Sequence, residues 1–326
     1  MEVLLIGGTR FIGPRVVEEF LGTGADVTVF TRGRSEHPIS DEQAVEHITG
    51  DRTNRSDLER ARAAVEPDVV IDMVGFYPEH VREAVELFVD VNAYVFVSSV
   101  SAYADRPFPI VEDETPLLAC SPEQATDESF ETYGNRKAAC ERVVFEAVDN
   151  GLSGTTVRPV QVYGPGDPSG RMDYWIDRVE RRDRVLVPGD GTNVTHQVFV
   201  DDVATAIRLI ARHGEPGKGY NVGARQAVPL GRTIGRIAAA VGTSAEQVYS
   251  SERELVPKLA FDDFPVYRRE PYAVDTDRLA SLGWTATGPE RAVRAAVEDY
   301  RTSDRDVVEH GPAIETETTI IEALTG

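Results

Sequence analysis

The chain has 326 residues, 41% of them hydrophobic, with 55 Asp and Glu against 34 Lys and Arg and a formal net charge of −21. That acidity argues against a nucleic-acid ligand, since neutralising phosphates needs basic surface, and two cysteines, Cys120 and Cys140, are too few for a disulfide framework. No apolar run approaches the ~20 residues of a bilayer-spanning helix, and Met1 leads into an apolar segment without a signal peptide, so a cytoplasmic protein of one large or two closely joined domains is expected.

The run Val3-Leu4-Leu5-Ile6 reads as a buried parallel strand and ends in Gly7-Gly8-Thr9-Arg10-Phe11-Ile12-Gly13. Strand, glycine-rich turn and helix in that order make a nucleotide cradle. Gly7 permits the tight turn, small residues let backbone N–H groups approach a pyrophosphate, and Gly13 lets a helix over 11–21 pack on the strand. Arg10 takes the slot of the middle glycine. A second strand over 26–30 runs into Thr31-Arg32-Gly33-Arg34, where an acidic residue would bond a ribose 2′-hydroxyl; Arg32 and Arg34 suit a 2′-phosphate instead and point to NADP rather than NAD. Then come Gly50-Asp51-Arg52, with Asp51 placed to meet an adenine amino group, a helix over 57–65, a strand over 67–72 and a helix near 80–89.

A strand over 93–97 continues into Ser98-Ser99-Val100-Ser101-Ala102-Tyr103, hydroxyls at the carboxyl end of a parallel strand, where open α/β sheets bind ligands. In the helix over 133–150, four-residue spacing puts the Tyr133 phenol and the Lys137 ammonium one turn apart on one face. The cation is expected to favour the phenolate, lowering a pKa that otherwise sits near ~10, so that Tyr133 exchanges protons at neutral pH. Lysine is scarce here: the chain holds only Lys137, Lys218 and Lys258. A strand over 154–159 and a turn over 163–166 follow. The helix near 172–182 carries the basic run Arg178, Arg181, Arg182 and Arg184, which reads as a solvated face. A short strand over 185–187 is followed by a return to strand over 196–200 and helix over 201–211, with Asp201 as the helix cap; later segments over 230–241, 247–249 and 289–300 suggest a small mixed lobe over the nicotinamide. Residues 303–326, acidic and Thr-rich with one apolar patch at Ile320-Ile321, read as a mobile or docking tail. None of the six histidines, His37, His47, His80, His196, His213 and His310, shows ligand spacing, so no metal is expected.

The alternation predicts an α/β fold, a Rossmann-type doubly wound parallel sheet with a smaller mixed α/β C-terminal substrate lobe. The expected boundaries are 1–165 for the dinucleotide-binding domain, with 194–225 returning to it, 166–193 and 226–302 for the substrate lobe, and 303–326 for the tail.

GGTRFIG at 7–13, FVSSVSAY at 96–103, YGNRK at 133–137, VRPVQVYGPG at 157–166, FVDDVA at 199–204 and VDTDRLASLGW at 274–284 together resemble the extended short-chain dehydrogenase/reductases, the NAD-dependent epimerase/dehydratase family, up to about Tyr300. The resemblance implies a catalytic set of Ser99, Tyr133 and Lys137. It implies cofactor contacts from Gly7, Thr9, Arg10, Phe11, Ile12, Gly13, Arg32, Arg34, Asp51, Arg52, Val74, Lys137 and Pro159, and substrate contacts from Ser101, Tyr163, His196 and Arg269. Val100 and Ser101 replace the Asp-Glu pair of the family's sugar-nucleotide dehydratases, which argues against water loss. Thr195-His196-Gln197 stands where nucleotide-sugar enzymes carry a pyrophosphate-gripping arginine, leaving Arg268 or Arg269 for that contact. GGTRFIG, TRGR at 31–34 and FPVYRREPY at 264–272 are similar to a divergent branch that includes the chloroplast stem-loop-binding proteins, which are associated with RNA.

What this implies is an NAD(P)-dependent epimerase or oxidoreductase working by hydride transfer, with Tyr133 as acid/base, on a sugar-like, nucleotide-linked substrate. The alternatives are an NADPH-dependent reductase of a non-nucleotide carbonyl compound and a catalytically idle cofactor- or RNA-binding protein of the same fold. The expected partner is a small-molecule substrate, with homodimerisation allowed and neither membrane nor nucleic acid engaged. Strong acidity with little lysine also resembles salt-adapted proteins, in which screening relieves self-repulsion.

Overall fold

A computed structural model describes residues 1–34, 45–305 and 310–326; His37 lies outside them. In chain order the elements are β1 (Glu2–Ile6), α1 (Ile12–Leu21), β2 (Asp26–Thr31), β3 (Val45–Thr49), α2 (Arg55–Val65), β4 (Val69–Asp72), α3 (Pro78–Leu87), β5 (Ala93–Val97), α4 (Pro122–Thr126), α5 (Tyr133–Val148), β6 (Gly154–Pro159), β7 (Gln161–Tyr163), α6 (Arg171–Arg181), β8 (Arg184–Pro188), β9 (Val194–Thr195), β10 (Gln197–Phe199), α7 (Val200–His213), β11 (Gly219–Val222), β12 (Val228–Pro229), α8 (Leu230–Val241), β13 (Glu246–Ser250), α9 (Glu252–Leu255), α10 (Asp277–Ser281), α11 (Pro289–Thr302) and α12 (Ile314–Thr325). Short 3₁₀ turns cover Val100–Ala102 and Phe261–Asp263.

Two compact units result. The first comprises Met1–Val160, Val200–Val222 and Val274–Thr285, the second Gln161–Phe199, Gly223–Ala273 and Ala286–Gly326.

The first unit is built on a parallel seven-stranded sheet in the order β11-β6-β5-β4-β1-β2-β3. Val3, Leu4, Leu5 and Ile6 are fully buried, as expected of a central strand covered on both faces. Leu4, Ile6, Phe30, Leu58, Val81, Tyr94, Phe96 and Val144 share one core cluster, which seats α2, α3 and α5 against the sheet. Strand order reverses between β1 and β4, so the carboxyl ends of these two strands flank the crevice where such sheets bind ligands. Edge strand β3 leaves no apolar pattern, because only Val45 of it is buried. Residues 274–285, expected in the smaller lobe, belong to this unit: Asp275 N–H donates to the Ile110 carbonyl, and Trp284 Nε1 donates to the Asp202 carbonyl at 2.9 Å.

In the second unit β8 pairs in parallel with β13, and two-stranded pairs join β7 to β10 and β9 to β12. One expectation changes here and another is narrowed. Arg178 is 1% exposed rather than on a solvated face; its Nε donates to Glu317 Oε1 at 2.8 Å, Nη1 to Asp177 at 2.7 Å and Nη2 to the Pro312 carbonyl at 2.9 Å. Of the two alternatives for the C-terminal tail, mobile or docking, residues 314–325 take the second, as a packed helix with Glu317, Ile320 and Ile321 buried. One cause serves both: Glu317, Ile320 and Ile321 lie on one helical face and need buried partners, which Tyr174 and Arg178 of α6 supply for Glu317 while α12 packs on β8 and β13.

Candidate active site

The turn after β1 has the backbone its glycines allow. Gly7 and Gly8 sit at φ 92° and 96°, in the left-handed half of conformational space. A Cβ on Gly13 would lie 2.2 Å from Gly8 Cα, so only glycine lets α1 approach the turn this closely. Gly7 N–H donates to the Phe30 carbonyl at 2.9 Å, and a Cβ on Gly7 would meet Val74 Cγ1 at 2.6 Å, so the turn also packs on the segment leaving β4. Phe11, at the start of α1, takes φ 49°, and no side chain caps the helix. Gly13 N–H donates to the Arg10 carbonyl at 3.0 Å, and the positive end of the uncapped helix fits a pyrophosphate. Thr9 and Ile12 are half-buried and Arg10 is exposed.

At the end of β2, Arg32 and Arg34 are exposed. Asp51 lies in their field: Thr53 N–H and hydroxyl, donating at 3.0 and 2.9 Å, lower its pKa, and the two arginines add to that against a small cost of burial. Arg52 turns inward. Its Nη2 donates to Asp72 Oδ2 at 2.9 Å and to the His80 carbonyl at 3.1 Å, while Nη1 reaches the Val74 carbonyl at 3.2 Å.

Ser99, Tyr133 and Lys137 come together at the carboxyl edge of the sheet. Ser99 follows β5, its hydroxyl accepts from Ser101 N–H at 3.1 Å, and it favours the ionised form of the Tyr133 phenol. Tyr133 opens α5, with its ring stacked on Phe130 (centroids 5.5 Å apart, planes 8° apart). A Cβ on Gly134 would lie 2.2 Å from the Ser101 carbonyl oxygen, so glycine is what lets α5 dock on the 100–102 turn. Lys137 is 2% exposed, and its Nζ donates to the carbonyls of Gly75 at 2.9 Å and Val97 at 2.8 Å. The same ammonium lies 4.6 Å from the Phe96 ring centroid, 4.9 Å from that of Phe76 and 6.0 Å from that of Tyr133.

The electrostatics differ from the sequence expectation. Burial raises the Tyr133 pKa, and the groups that pull it back are Ser99 and Arg136, not Lys137. The physical reason is that the Lys137 ammonium is spent on two backbone carbonyls and is itself desolvated, which lowers its pKa to about 8. Beside it, burial pushes the Cys140 thiol up to about 12, so Cys140 is a protonated core residue at neutral pH.

Below this set lies a network that sequence reasoning passed over. Glu141, fully buried one turn beyond Lys137, accepts from Ser98 Oγ at 2.5 Å, from Thr156 Oγ1 at 3.0 Å and from Arg158 Nη2 at 2.6 Å. Arg158 Nη1 donates to the Tyr103 hydroxyl at 2.7 Å, which donates to Asn221 at 2.8 Å. The only sequence signal was Glu141 at a four-residue spacing from Lys137.

The remaining candidates are dispersed. Pro159 is buried at the end of β6 in the first unit, and Ser101 is half-buried in the 3₁₀ turn. Tyr163, His196 and Arg269 belong to the second unit. Tyr163 packs edge-on against Phe199, centroids 6.0 Å apart. His196 is 3% exposed with Nε2 2.6 Å from the Ala224 carbonyl oxygen, and burial lowers its pKa. On either side of it, Thr195 Oγ1 and Gln197 Nε2 are buried without a hydrogen-bond partner. Arg269 is exposed and pairs with Glu252 at 2.5 Å and Asp262 at 3.6 Å. Among the described residues no group of three His, Cys, Asp or Glu could hold a metal ion, and no helix is long and apolar enough to cross a membrane.

The family model described as "NAD dependent epimerase/dehydratase family" matches residues 3–223. The chain is 28% identical to the chloroplast stem-loop binding protein of 41 kDa b of Arabidopsis thaliana, over 63% of this chain and 53% of that protein, so the match spans about half of that relative's length. It is 25% identical to the low-salt glycan biosynthesis protein Agl12 of Haloferax volcanii, over 93% of this chain and all of that protein. Its fold is that of the dTDP-glucose 4,6-dehydratase of Bacillus anthracis solved in complex with NAD, with a TM-score of 0.73 at 18% identity, covering 98% of this chain and 99% of that one.

Proposed function

The chain belongs to the NAD dependent epimerase/dehydratase family, and on that footing we propose that it is an NAD(P)-dependent epimerase or oxidoreductase acting on the carbinol of a sugar-like, nucleotide-linked substrate. The observation that carries this reading is the docking of Tyr133 and Gly134 on the turn that follows Ser99, with the Lys137 ammonium 6.0 Å from the Tyr133 ring centroid.

Gly7, Gly8, Gly13 and the uncapped start of α1 would hold the pyrophosphate, with Thr9, Arg10, Phe11 and Ile12 around it and Asp51, Val74 and Pro159 as further contacts. When bound, the dinucleotide supplies hydride transfer. Tyr133 takes the carbinol proton on its phenolic oxygen and returns it, Ser99 orients the reacting oxygen and with Arg136 favours the phenolate, and Lys137 holds a positive charge 6.0 Å from the Tyr133 ring centroid. Burial keeps Tyr133 protonated at neutral pH, so the proton-abstracting direction gains rate as pH rises. Val100 and Ser101, in the turn after Ser99, carry no carboxylate, which supports epimerisation or reduction over dehydration. The net charge of −21 favours a small-molecule substrate over RNA.

A second reading, an NADPH-dependent reductase, is favoured by Arg32 and Arg34, which would neutralise a 2′-phosphate better than a ribose hydroxyl. Nucleotide released on denaturation separates the two: tightly held NAD with no net consumption marks an epimerase, and stoichiometric NADPH consumption marks a reductase. In either case Tyr133→Phe should lose about 10²–10⁴-fold in turnover. Unchanged turnover in that variant would sink both.

A further inference from the structure

Asp72 closes β4 and is fully buried. Three donors meet its carboxylate: Arg52 Nη2 and the Tyr94 hydroxyl, each 2.9 Å from Oδ2, and Val74 N–H, 3.1 Å from Oδ1. Arg52, 8% exposed, also donates to the Val74 carbonyl, so the ion pair grips both the N–H and the C=O of one residue. The next carbonyl in the chain, that of Gly75, receives the Lys137 ammonium. The turn is tight: a Cβ on Gly75 would lie 2.5 Å from the Phe96 ring and 3.1 Å from Asp72 Oδ2. A buried ion pair is weak grounds for stability, because desolvation offsets much of the attraction and apolar side chains of equal volume often serve as well. Its geometry here explains something else.

We propose that Arg52 and Asp72 are positioning residues that fix the Met73–Gly75 turn so that the Gly75 carbonyl holds the Lys137 ammonium beside Tyr133. Arg52 then acts through Lys137 rather than by touching the dinucleotide. This rests on the reading of Tyr133 and Lys137 as the proton-transfer pair, but the ammonium itself can be observed without turnover. The charged and titratable groups facing it are Tyr133, Cys140 and Glu141 from its own helix, Asp72 from β4 and Arg52 from the loop before α2.

With only Lys137, Lys218 and Lys258 in the chain, ε-carbon lysine labelling of the full-length protein gives three signals, and Lys137→Arg assigns one of them. In the parent protein that signal titrates near about 8. Asp72→Asn keeps the shape, removes the negative charge and leaves Arg52 in place, so the Lys137 midpoint should fall. Tyr94→Phe, which deletes one bond to Asp72, should move the same signal less. Arg52→Met should lower turnover by up to about 100-fold with little change in dinucleotide KM, as a misplaced catalytic group does, and Arg52→Lys should recover part of the loss. If the variants only lower the unfolding midpoint while the Lys137 signal and the pH profile stay fixed, the pair is merely structural. If Arg52→Met raises dinucleotide KM with turnover unchanged, Arg52 is a cofactor ligand. Either result overturns the proposal. A protein inactive on every substrate would sink the enzymatic reading, yet leave the lysine titration to decide this one.

Discussion

Two buried arginines, one in each unit, have nearly the same surroundings. Arg158 pairs with Glu141 at 2.6 Å beside the Tyr103 ring, and Arg178 pairs with Glu317 at 2.8 Å beside the Tyr174 ring; all four charged side chains are at most 4% exposed. They differ in what they join. Glu141 and Arg158 are 17 residues apart and tie α5 to β6, with the Ser98 hydroxyl, next to Ser99, bonded to the same carboxylate. Arg178 and Glu317 are 139 residues apart and fasten the last helix of the chain to α6. The same chemistry holds the reactive face of the first unit and closes the second.

The largest effects should come from removing either glutamate. Glu141→Ala leaves the buried Arg158 guanidinium without its carboxylate, for a loss of about 3–5 kcal/mol, whereas Glu317→Ala leaves Arg178 paired with Asp177 at 2.7 Å and should cost less. Nature supplies a probe in each unit, since the chain has two tryptophans, Trp284 in the first and Trp175 in the second. In single-tryptophan variants, denaturant unfolding should show Glu141→Ala shifting the Trp284 transition and Glu317→Ala shifting the Trp175 transition. If both transitions move together in both variants, the units unfold as one and the comparison breaks. Only Glu141→Ala should also cost turnover beyond its loss of folded protein.

This contrast also explains what could be read from the sequence. Local patterns carried β1, β2, β4, β5 and the helix with Tyr133 and Lys137, because strand burial and helical spacing are written in consecutive residues. Arg178 looked solvated and residues 314–325 looked like a tail because each is the other's missing partner, and no local pattern connects residues so far apart. The pairing of Lys137 with Tyr133 followed from spacing, but its electrostatic direction did not. The carbonyls of Gly75 and Val97 that take up the ammonium come from the turn after β4 and from the end of β5. Sequence spacing puts two groups on one helical face without saying what else competes for them.

A smaller effect tests the burial of Lys137 itself. Its folded pKa falls from an ordinary 10.5 to about 8. Between those values the unfolded chain binds more protons, so stability rises with pH across that window, by up to about 3 kcal/mol. Cys140 opposes this, because its folded pKa rises from 9.0 to about 12, and stability is lost as pH climbs through that range. Urea unfolding from pH 7.5 to 10 should therefore show a clear rise in Cys140→Ala, a rise that stalls above pH 9 in the parent, and no rise in Lys137→Met. A rise persisting in Lys137→Met would assign the desolvated proton to another group.

Salt should act more weakly, and at the surface. Going from about 0.1 M to 1 M salt shortens the screening length from about 10 to 3 Å, which relieves repulsion across a net charge of −21 and leaves the two buried pairs nearly untouched. A gain of roughly 1 kcal/mol, or about 2–4 °C in Tm, is expected in the parent and in both glutamate variants alike. Full stability in dilute buffer with no gain would remove the salt-adapted reading.

The smallest effect belongs to Arg269, the exposed counterpart of the two buried arginines. It pairs with Glu252 and Asp262 and lies 5.5 Å from the Phe261 ring centroid, all near the surface. Exposed pairs of this kind contribute at most about 1 kcal/mol, so Arg269→Ala should barely move the Trp175 transition. That leaves substrate affinity free to speak. If Arg269 supplies a pyrophosphate contact, the variant should raise KM for a nucleotide-linked substrate by about tenfold or more, the worth of one charge-assisted hydrogen bond, with stability intact. An unchanged KM would confine Arg269 to its two carboxylates.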